Sequence, residues 1–416
     1  MRRRILLSLL LLVWGTSSQA AYSNSSSVLL GEKAAGLGGA FTALSGDAAA
    51  SPYYNPATSV LQGGNHASAA VNVYNKFETN VGDAGDFTAA PQRLNRGFFR
   101  SLPSSSATIL GFGSFSVGLS ILVPDYDFYS GQIKGTGTTT SSLSTVDESL
   151  WVGGTFSTKL TERDATGITL YYTARNLSRS VSDRVETGGT SAVLTDEEKN
   201  LTSNAVVAIL GFYRKLTETW SVGVSYRAPS LPIAGEASYY KSVTTTSPYS
   251  STVTNRANLR AITKIPGRVA IGIAREVKNI NTLSFDLQLY EGTSYSDLPE
   301  LAAGADDIQH RQMLNFALGY EAKVREWARL RLGVFSNLSN NGRPDLSQGQ
   351  RQGDYIDQMG FSANLNMKTA TATSFTFGGY YTAGDGESTQ LTGQTLQIVP
   401  KTKQTFTMLV ATGFSF

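Results

Sequence analysis

The chain has 416 residues, a formal net charge of +3 and no cysteine, and charged residues make up only 16% of it. The lack of cysteine excludes disulfides and thiolate-bound metals. A nearly balanced charge gives no reason to expect nucleic acid or another polyanion as a partner.

The N-terminus has the three parts of a secretory signal peptide. Three arginines at positions 2–4 precede an apolar run at Ile5–Trp14, and small residues stand just before Ala20. The apolar run is much shorter than the roughly 20 residues that a membrane-spanning helix needs. We therefore interpret residues 1–20 as a signal peptide that is removed on export.

Residues 21–65 are dominated by small side chains and show no strand periodicity. Three stretches stand out, and they are Gly31–Ala43, Asp47–Ala50 and Tyr53–Ala57. Such a segment packs closely inside another structure but cannot form a core of its own. A wide barrel has an interior that its wall side chains cannot fill, so we predict that residues 21–65 form a plug, or hatch.

Residues 66–416 alternate apolar and polar positions, as strands of a transmembrane β-barrel do. In the last strand, Phe406, Met408, Val410 and Phe414 alternate with small or polar residues, and the chain stops on Phe416. A terminal aromatic residue resembles the signal that the barrel-assembly machinery recognises during insertion. The segments Trp220–Arg227, Leu283–Tyr290, Leu314–Tyr320 and Arg329–Val334 repeat the alternation. Several of these strands have charged residues on the face opposite the apolar one, so we expect this face to line a polar lumen.

Connection lengths indicate the same layout. Short turns at 161–164, 216–219, 277–279, 324–326 and 367–370 alternate with long polar segments, and this is the loop asymmetry of outer-membrane barrels. We predict a 14-stranded antiparallel barrel with both ends on the periplasmic side. The strands are expected at 66–77, 90–101, 106–123, 146–160, 165–180, 201–215, 219–240, 255–276, 280–290, 310–323, 327–338, 355–367, 371–384 and 403–416. Pro266 should interrupt the eighth strand, and a short helix is expected after Thr195.

The small-residue stretches carry a family resemblance. The sequence GEKAAGLGGAFTA, then DAAA, then YYNPA resembles the N-terminal hatch of the FadL family of long-chain fatty acid and toluene outer-membrane transporters. Residues 31–57 contain most of the likeness, with weaker similarity at Trp220–Pro229, Ile265–Arg275 and Asn315–Ser336. The resemblance implies a 14-stranded barrel closed by a hatch. It also implies uptake of hydrophobic molecules into a lumenal pocket and lateral exit at a kinked third strand.

The resemblance assigns roles to individual residues. Asn55, Pro56 and Ala57 match the hatch motif, whereas an ordinary Asn-Pro turn is the alternative. Hatch packing is expected from Gly36, Gly38, Gly39 and Phe41. The predicted third strand contains Gly111, Phe112 and Gly113, where a kink would form the lateral opening, with Leu110, Phe112 and Leu122 on its inner face.

The loop composition differs from that of fatty-acid transporters, and this difference affects the expected substrate class. Loop segments such as Gln132–Thr145 are almost entirely Gly, Thr and Ser, whereas fatty-acid transporters have apolar loops. Passage of some hydrophobic compound is therefore the prediction, with long-chain fatty acids as the leading class. For a carboxylic acid, inward arginines are candidate partners, namely Arg175, Arg227, Arg329 and Arg331. The alternative is that these arginines form salt bridges in the lumen.

Other functions were weighed against the same residues. An outer-membrane hydrolase needs a catalytic constellation, but the chain has only His66 and His310, far apart and without a G-x-S-x-G motif. We interpret both as surface or junction polar residues and predict no enzyme activity, metal or cofactor. A nucleotide site is not supported, because Phe41 replaces the third glycine of the fingerprint. A diffusion porin or a structural barrel stays open, and the expected partners are a hydrophobic solute and outer-membrane lipid.

Overall fold

The computed structural model describes residues 24, 28–81, 92–93, 102–134, 140–188, 191–277, 280–301, 307–348, 352–369, 372–392 and 395–416. The predicted signal peptide lies outside these residues. Most of the predicted second strand, 90–101, and the residues at several long-loop tips lie outside them too.

The described chain is built mainly of strands. They are β1 (His66–Val81), β2 (Gln92–Arg93), β3 (Leu102–Gly111), β4 (Phe115–Lys134), β5 (Thr140–Lys159), β6 (Asp164–Gly188), β7 (Ser191–Lys215), β8 (Trp220–Arg227), β9 (Leu231–Thr246), β10 (Tyr249–Arg260), β11 (Arg268–Val277), β12 (Asn281–Tyr290), β13 (Thr293–Ser296), β14 (Asp307–His310), β15 (Met313–Arg325), β16 (Ala328–Asn337), β17 (Tyr355–Lys368), β18 (Thr373–Thr392) and β19 (Thr395–Ser415).

These strands close into a barrel. β1 pairs antiparallel with β19 from His66 opposite Ser415 to Val81 opposite Lys401, which joins the two edges of the sheet. Each position in the barrel wall is here called a stave, and most staves are single strands. Three staves consist of two consecutive strands each, and these are β2 with β3, β8 with β9, and β10 with β11. With β13 and β14 in a separate two-stranded sheet, the wall has 14 antiparallel staves. The predicted 14-stranded antiparallel barrel is confirmed.

The two faces of the wall differ as the alternation predicted. Large apolar side chains point outward and stay exposed, for example Leu119 (72%), Phe156 (47%) and Leu170 (53%). On β8, the outward Trp220, Val222, Val224 and Tyr226 alternate with residues that are buried inside. An apolar outer band with a polar interior fits a lipid-facing wall.

Loop lengths separate the two ends of the barrel. One end, the short-turn end, carries tight connections such as Leu160–Arg163 and Leu216–Thr219 and both ends of the wall, since Phe416 N–H donates to Asn65 O at 3.1 Å. At the opposite end, the long-hairpin end, several hairpins extend the wall, and β6 and β7 reach 25 residues each. The predicted helix after Thr195 is wrong, because Asp196 and its neighbours pair with both β6 and β9 as part of β7.

The predicted third strand over 106–123 is also wrong. Phe112 N–H donates to Phe115 O at 2.8 Å, and Gly113 has φ +76, so a tight turn separates β3 from β4. Glycine takes this conformation without strain, and the alternation shifts phase across the turn, with even positions outward on β3 and odd positions outward on β4. Leu110 and Phe112 face outward whereas Leu122 is fully buried. The lateral-opening strand therefore does not lie at Gly111, Phe112 and Gly113.

Residues 28–62, here called the N-terminal segment, contain only short helices. These are α1 (Lys33–Gly36), α2 (Ser51–Tyr54) and a 3₁₀ helix at Pro56–Gln62. Gly38 and Gly39 have φ of +66 and +87 just after α1, a conformation that ends a helix and suits glycine. None of the described helices has the length and apolar character needed to cross a membrane.

Candidate functional site in the barrel lumen

The N-terminal segment is bonded to the inside of the wall. The Asp286 carboxylate of β12 accepts the Phe41 and Thr42 N–H groups at 2.9 and 2.8 Å. Further bonds come from widely separated staves, with Asn364 donating to Glu32 O, Ser362 to Gly36 O, Ser221 to Ala43 O and Arg268 to Tyr53 O. Since these donors surround the segment, it lies in the lumen.

Asn55 joins two parts of the N-terminal segment to the wall. Its side chain is fully buried and donates to Thr42 O at 2.7 Å and to Phe212 O of β7 at 3.0 Å. Its Oδ1 also accepts Ala57 N–H at 3.2 Å and so caps the 3₁₀ helix, with Pro56 at the first helical position. The cap satisfies an amide that the lumen would otherwise leave unpaired.

A belt of inward glycines makes room for the segment. A Cβ built on any of these glycines would lie less than 3 Å from the segment, and they are Gly167, Gly211, Gly223, Gly272, Gly319 and Gly333. Several belt glycines pair directly across neighbouring strands, as Gly223 does with Gly272 and Gly319 with Gly333. The wall therefore lacks side chains where the segment's backbone passes closest.

An aromatic cluster lies where the segment meets the wall. Tyr53 packs edge-on against Tyr54 and Trp151, with ring centroids 5.3 and 5.9 Å apart, and Trp151 contacts Tyr171 at 5.5 Å. Phe41 contacts Tyr54 at 6.1 Å. These residues belong to the largest apolar cluster of the described chain, which also holds Leu122 of β4. Edge-to-face contacts add about 0.5–1.5 kcal/mol each beyond area burial.

Two buried arginines border this cluster. Arg227 of β8 and Arg268 of β11 are direct cross-strand partners. Arg227 donates to Pro266 O at 3.0 Å and lies over Trp151 and Tyr290 at 5.8 and 5.6 Å. Arg268 donates to Tyr53 O and lies 4.8 Å from the Tyr53 ring.

These two cations lack a salt-bridge partner in the described part of the chain, where no carboxylate lies within 4.0 Å of either guanidinium. Both Nε atoms are buried without a hydrogen bond. The Asp125 and Asp286 carboxylates lie near Arg227 and Arg268 respectively but beyond 4.0 Å, so each buried cation is only partly compensated. An anion at this position would compensate the charge.

The cavity beside Arg268 is small. It measures about 20 Å³ and is also lined by Tyr53 and Gln288. Such a space holds one water molecule, since about 10–15 Å³ is needed for one. A larger solute fits into this cavity only if the residues that line it move.

A connection at the long-hairpin end folds into the lumen. Residues 291–301 and 307–311, here called the inward hairpin, contain β13 and β14. Asp297 at its turn is fully buried, and its carboxylate contacts Arg175 at 3.2 Å and Lys199 at 3.1 Å. Arg175 also holds Asp147 through two bonds of 2.9 and 2.7 Å. Buried charges of both signs thus lie across the lumen.

Burial of Asp297 is offset by its two cations, which hold the pKa of this carboxyl below its ordinary value. His310 on the same hairpin is also buried, which corrects its interpretation as a surface residue. Burial lowers the pKa of His310 to about 4 against the opposing field of Asp297. His66 lies at the short-turn end, where its Nδ1 is 3.0 Å from the Ser415 hydroxyl.

The other two predicted arginines lie at the opposite end. Arg331 and Arg329 both bind Glu321, at 2.6 and 2.8 Å. They line an open pocket of about 330 Å³ at the short-turn end, together with Glu32 and Lys368. The four predicted arginines are therefore spread along the lumen, and three of them form salt bridges, as the alternative interpretation proposed.

The hatch-motif and hatch-packing residues come together in the N-terminal segment. Sequence reasoning placed Asp286 on the inner face of its strand without giving it a role, and it missed Arg268 and Asp297. Arg268 stands on the polar face of an alternating strand, so extending the alternation would have found it. Asp297 lies in a connection without periodicity, and no local pattern marks it.

The fold and the contents of the lumen define the structural class of this protein. It is a closed 14-stranded barrel with an apolar outer face, and its own N-terminal segment lies inside. No family model matches the sequence, and no curated protein is detectably similar to it. Among solved structures, a Pseudomonas aeruginosa FadL homologue has a TM-score of 0.67 at 14% identity, over 96% of this chain and 100% of that one.

Two toluene transporters have the same architecture. TodX of P. putida matches with a TM-score of 0.68 and 12% identity over 93% of this chain and 98% of its own. TbuX of Ralstonia pickettii matches with 0.60 and 13% identity over 93% and 98%. At these identities the similarity shows the fold, so the expected FadL-type fold is confirmed.

The glycine belt generates a prediction for docking of the segment. Gly223→Val should displace the N-terminal segment, because the new side chain would overlap Thr42 O. Limited proteolysis of the purified protein should then cut within residues 28–62, while heat-modifiable gel mobility shows a folded barrel. Gly154→Val is the matched control, since Gly154 has no atom within 4 Å of a built Cβ. Equal protection of both variants would contradict the role of the belt.

Because His310 is buried in the inward hairpin, we expect docking of this hairpin to weaken at acid pH. Its folded pKa of about 4 lies below the ordinary 6.5, so the docked hairpin binds fewer protons than the undocked one. Docking is unaffected above about pH 6.5 and weakens as the pH falls toward 4. Hydrogen exchange in 291–311, corrected for intrinsic rates, should rise over this range. His310→Gln should remove the dependence and His66→Gln should retain it, and the reverse pattern would refute the assignment.

Proposed function

We propose that this chain is an exported outer-membrane channel of the FadL type that takes up hydrophobic small molecules. The observation that carries this proposal is the N-terminal segment bonded inside a barrel with an apolar outer band. A porin is a poorer fit, because the N-terminal segment lies in the lumen and is bonded to the wall there. In this proposal the short-turn end faces the periplasm and the long-hairpin end faces outward.

The hatch in this proposal is residues 21–65, of which residues 28–62 are described as the N-terminal segment. Its backbone and Asn55 are bonded to wall groups such as the Asp286 carboxylate and the Phe212 carbonyl, and its apolar side chains pack in one cluster with wall residues. Individual hydrogen bonds contribute about 0.5–1.5 kcal/mol net. A shift of the Asn55–Ala57 region would therefore break a few bonds at a time and open a path without unfolding the barrel.

The aromatic cluster around Tyr53 and Trp151 is the proposed substrate compartment. Burial of apolar solute surface there contributes about 25 cal/mol per Å². Arg227 and Arg268 add a site for a carboxylate at its edge. A fatty acid with its head group at these arginines and its chain among the rings is the substrate class we propose, with neutral aromatic hydrocarbons as the alternative.

The proposed lateral exit lies at the third stave. β4 has a bulge at Val123 and Pro124, where its pairing with β5 jumps from Leu122 to Asp125. On the other side, the described pairing of β3 with β4 ends at Ser105 opposite Leu122. A bulge bends its strand and interrupts the ladder. Since Leu122 belongs to the aromatic cluster, this position offers a short route from lumen to lipid.

Reconstituted liposomes test the channel. The wild-type protein should accelerate uptake of toluene or decanoate while the liposomes stay impermeable to sugars. Deletion of residues 21–60 should open a water-filled pore that admits sugars, because the wall alone encloses a wide lumen. Sugar permeability of the wild-type protein would favour a porin, and no permeability after the deletion would refute the hatch. Deletion of Pro124, which removes the bulge, should slow uptake if exit is lateral.

Arginine variants test the substrate class. Arg227→Met with Arg268→Met should weaken decanoate binding by about tenfold or more, because a charge-assisted hydrogen bond is worth about 1.5–3 kcal/mol. Binding of methyl decanoate should change little. Arg329→Met, in the open pocket at the short-turn end, is the matched control. Equal loss for acid and ester would argue against carboxylate recognition and favour a neutral hydrocarbon substrate.

A further inference from the structure

The inward hairpin leaves the wall between β12 and β15 but ends against β7 and β6, which are three and four staves from β12. Asp297 O also accepts Ile262 N–H at 2.9 Å, and Glu291 N–H donates to Gly267 O at 2.9 Å. The hairpin is therefore fastened along its path across the lumen.

An apolar anchor stands beside the charged contact. Leu298 is 1% exposed and packs in a cluster with wall residues from β6, β7, β9 and β10. These are Leu177, Leu201, Ala237, Tyr239 and Leu259. The Asp297 carboxylate and the neighbouring apolar Leu298 side chain thus pack side by side against the inner face of the wall. An anionic amphiphile combines the same two groups, a carboxylate head and an apolar chain.

The charged contact is a complete carboxylate site. Asp297 Oδ1 faces Arg175 and Oδ2 faces Lys199, and all three side chains are at most 4% exposed. Asp147 holds Arg175 from the other side, and Thr263 accepts a further Arg175 N–H at 2.9 Å. Asp297 is one of the carboxylates that these two buried cations contact. Its removal takes a negative charge away from both cations unless another anion replaces it.

We infer that Arg175 and Lys199 form a carboxylate-binding site on the outer side of the lumen, which Asp297 of the inward hairpin occupies as a lid. A carboxylate-bearing amphiphile takes over this site when the hairpin lifts. This inference rests on the proposed function, because it assigns the solute a carboxylate and a route from outside. The exchange replaces one carboxylate by another and conserves the charge balance.

The site lies one layer outside the aromatic compartment. Ser149 of β5 is the cross-strand partner of Arg175, and Trp151, two residues further toward the short-turn end, contacts Tyr53. The next inward cation is Arg227, which lies over Trp151, and the Asp125 carboxylate, which accepts from the Ser149 hydroxyl at 3.4 Å, is close to both arginines. The two sites form a sequence of carboxylate positions along the lumen.

The absence of native cysteine permits a direct test. Ser149→Cys places the single thiol just below the lid, and a small membrane-impermeant maleimide added to intact cells reports access from outside. Labelling should be slow in an otherwise wild-type chain. Adding Asp297→Asn should accelerate it by about tenfold or more, because one partner of a buried ion pair is lost. Glu300→Gln removes an exposed charge from the same hairpin and is the matched control.

Ligand exchange is tested with decanoate and methyl decanoate as probes. Decanoate should accelerate labelling of the Ser149→Cys variant when the lid is otherwise wild-type, whereas the ester should not, and neither should affect the Asp297→Asn background. Ser250→Cys, on the exposed hairpin of β9 and β10, should label at one rate throughout. Equal acceleration by acid and ester, or equal labelling with and without Asp297→Asn, would overturn the inference.

Two further measurements keep the outcomes separate. If Asp297→Asn abolishes heat-modifiable gel mobility, Lys199→Gln opens the same contact from the wall side and should give the same acceleration. Toluene uptake in liposomes reports the proposed channel independently of any carboxylate. Toluene uptake with labelling that is insensitive to the lid variants would reject the lid and retain the channel. Absence of all hydrophobic uptake would reject the channel itself.

Discussion

The structure depends on filling a lumen that the wall cannot fill. Inward side chains of 14 staves leave a wide interior, and any chain placed there must satisfy its amides without water. The wall provides space for the N-terminal backbone by having glycines where that backbone passes closest. It provides hydrogen-bond acceptors beside these glycines, where Asp286 accepts two amide N–H groups. Gly272 and Asp286 are direct cross-strand partners. Space and hydrogen-bonding capacity are therefore supplied side by side.

The same constraint organises charge along the lumen. Arg329 and Arg331 share Glu321 at the short-turn end, and Arg175 and Lys199 share Asp297 near the long-hairpin end. Between them, Arg227 and Arg268 rest on aromatic faces and carbonyl oxygens. The cations at the two ends of the lumen thus contact carboxylates directly, whereas Arg227 and Arg268 have Asp125 and Asp286 nearby but no carboxylate within 4.0 Å. A solute carrying negative charge gains most where the aromatic surface is also greatest.

Much of this architecture was predictable from the sequence, because strand faces and turns are local properties. Alternation assigned Trp220 outward and Arg227 inward, and small-residue composition marked the N-terminal segment. The turn at Gly113 was missed because a single phase was extended from Leu110 to Leu122, whereas the outward face changes from even to odd positions at the turn. Asp297 could not be predicted, because its partners Arg175 and Lys199 are 122 and 98 residues away in sequence. Only closure of the barrel brings them together.

The two closures of the lumen differ in how they can open. The N-terminal segment is held by backbone amides bonded to wall groups and by apolar side chains that pack against the wall, so its displacement breaks many small interactions in turn. The inward hairpin depends on one buried carboxylate between two cations, and a single competitor of the same chemistry can replace it. A solute from outside therefore meets the inward hairpin first, where its head group is selected. It then meets the N-terminal segment, which can be displaced one small interaction at a time. That order suits a passive channel, in which binding energy of the solute is the only source of work.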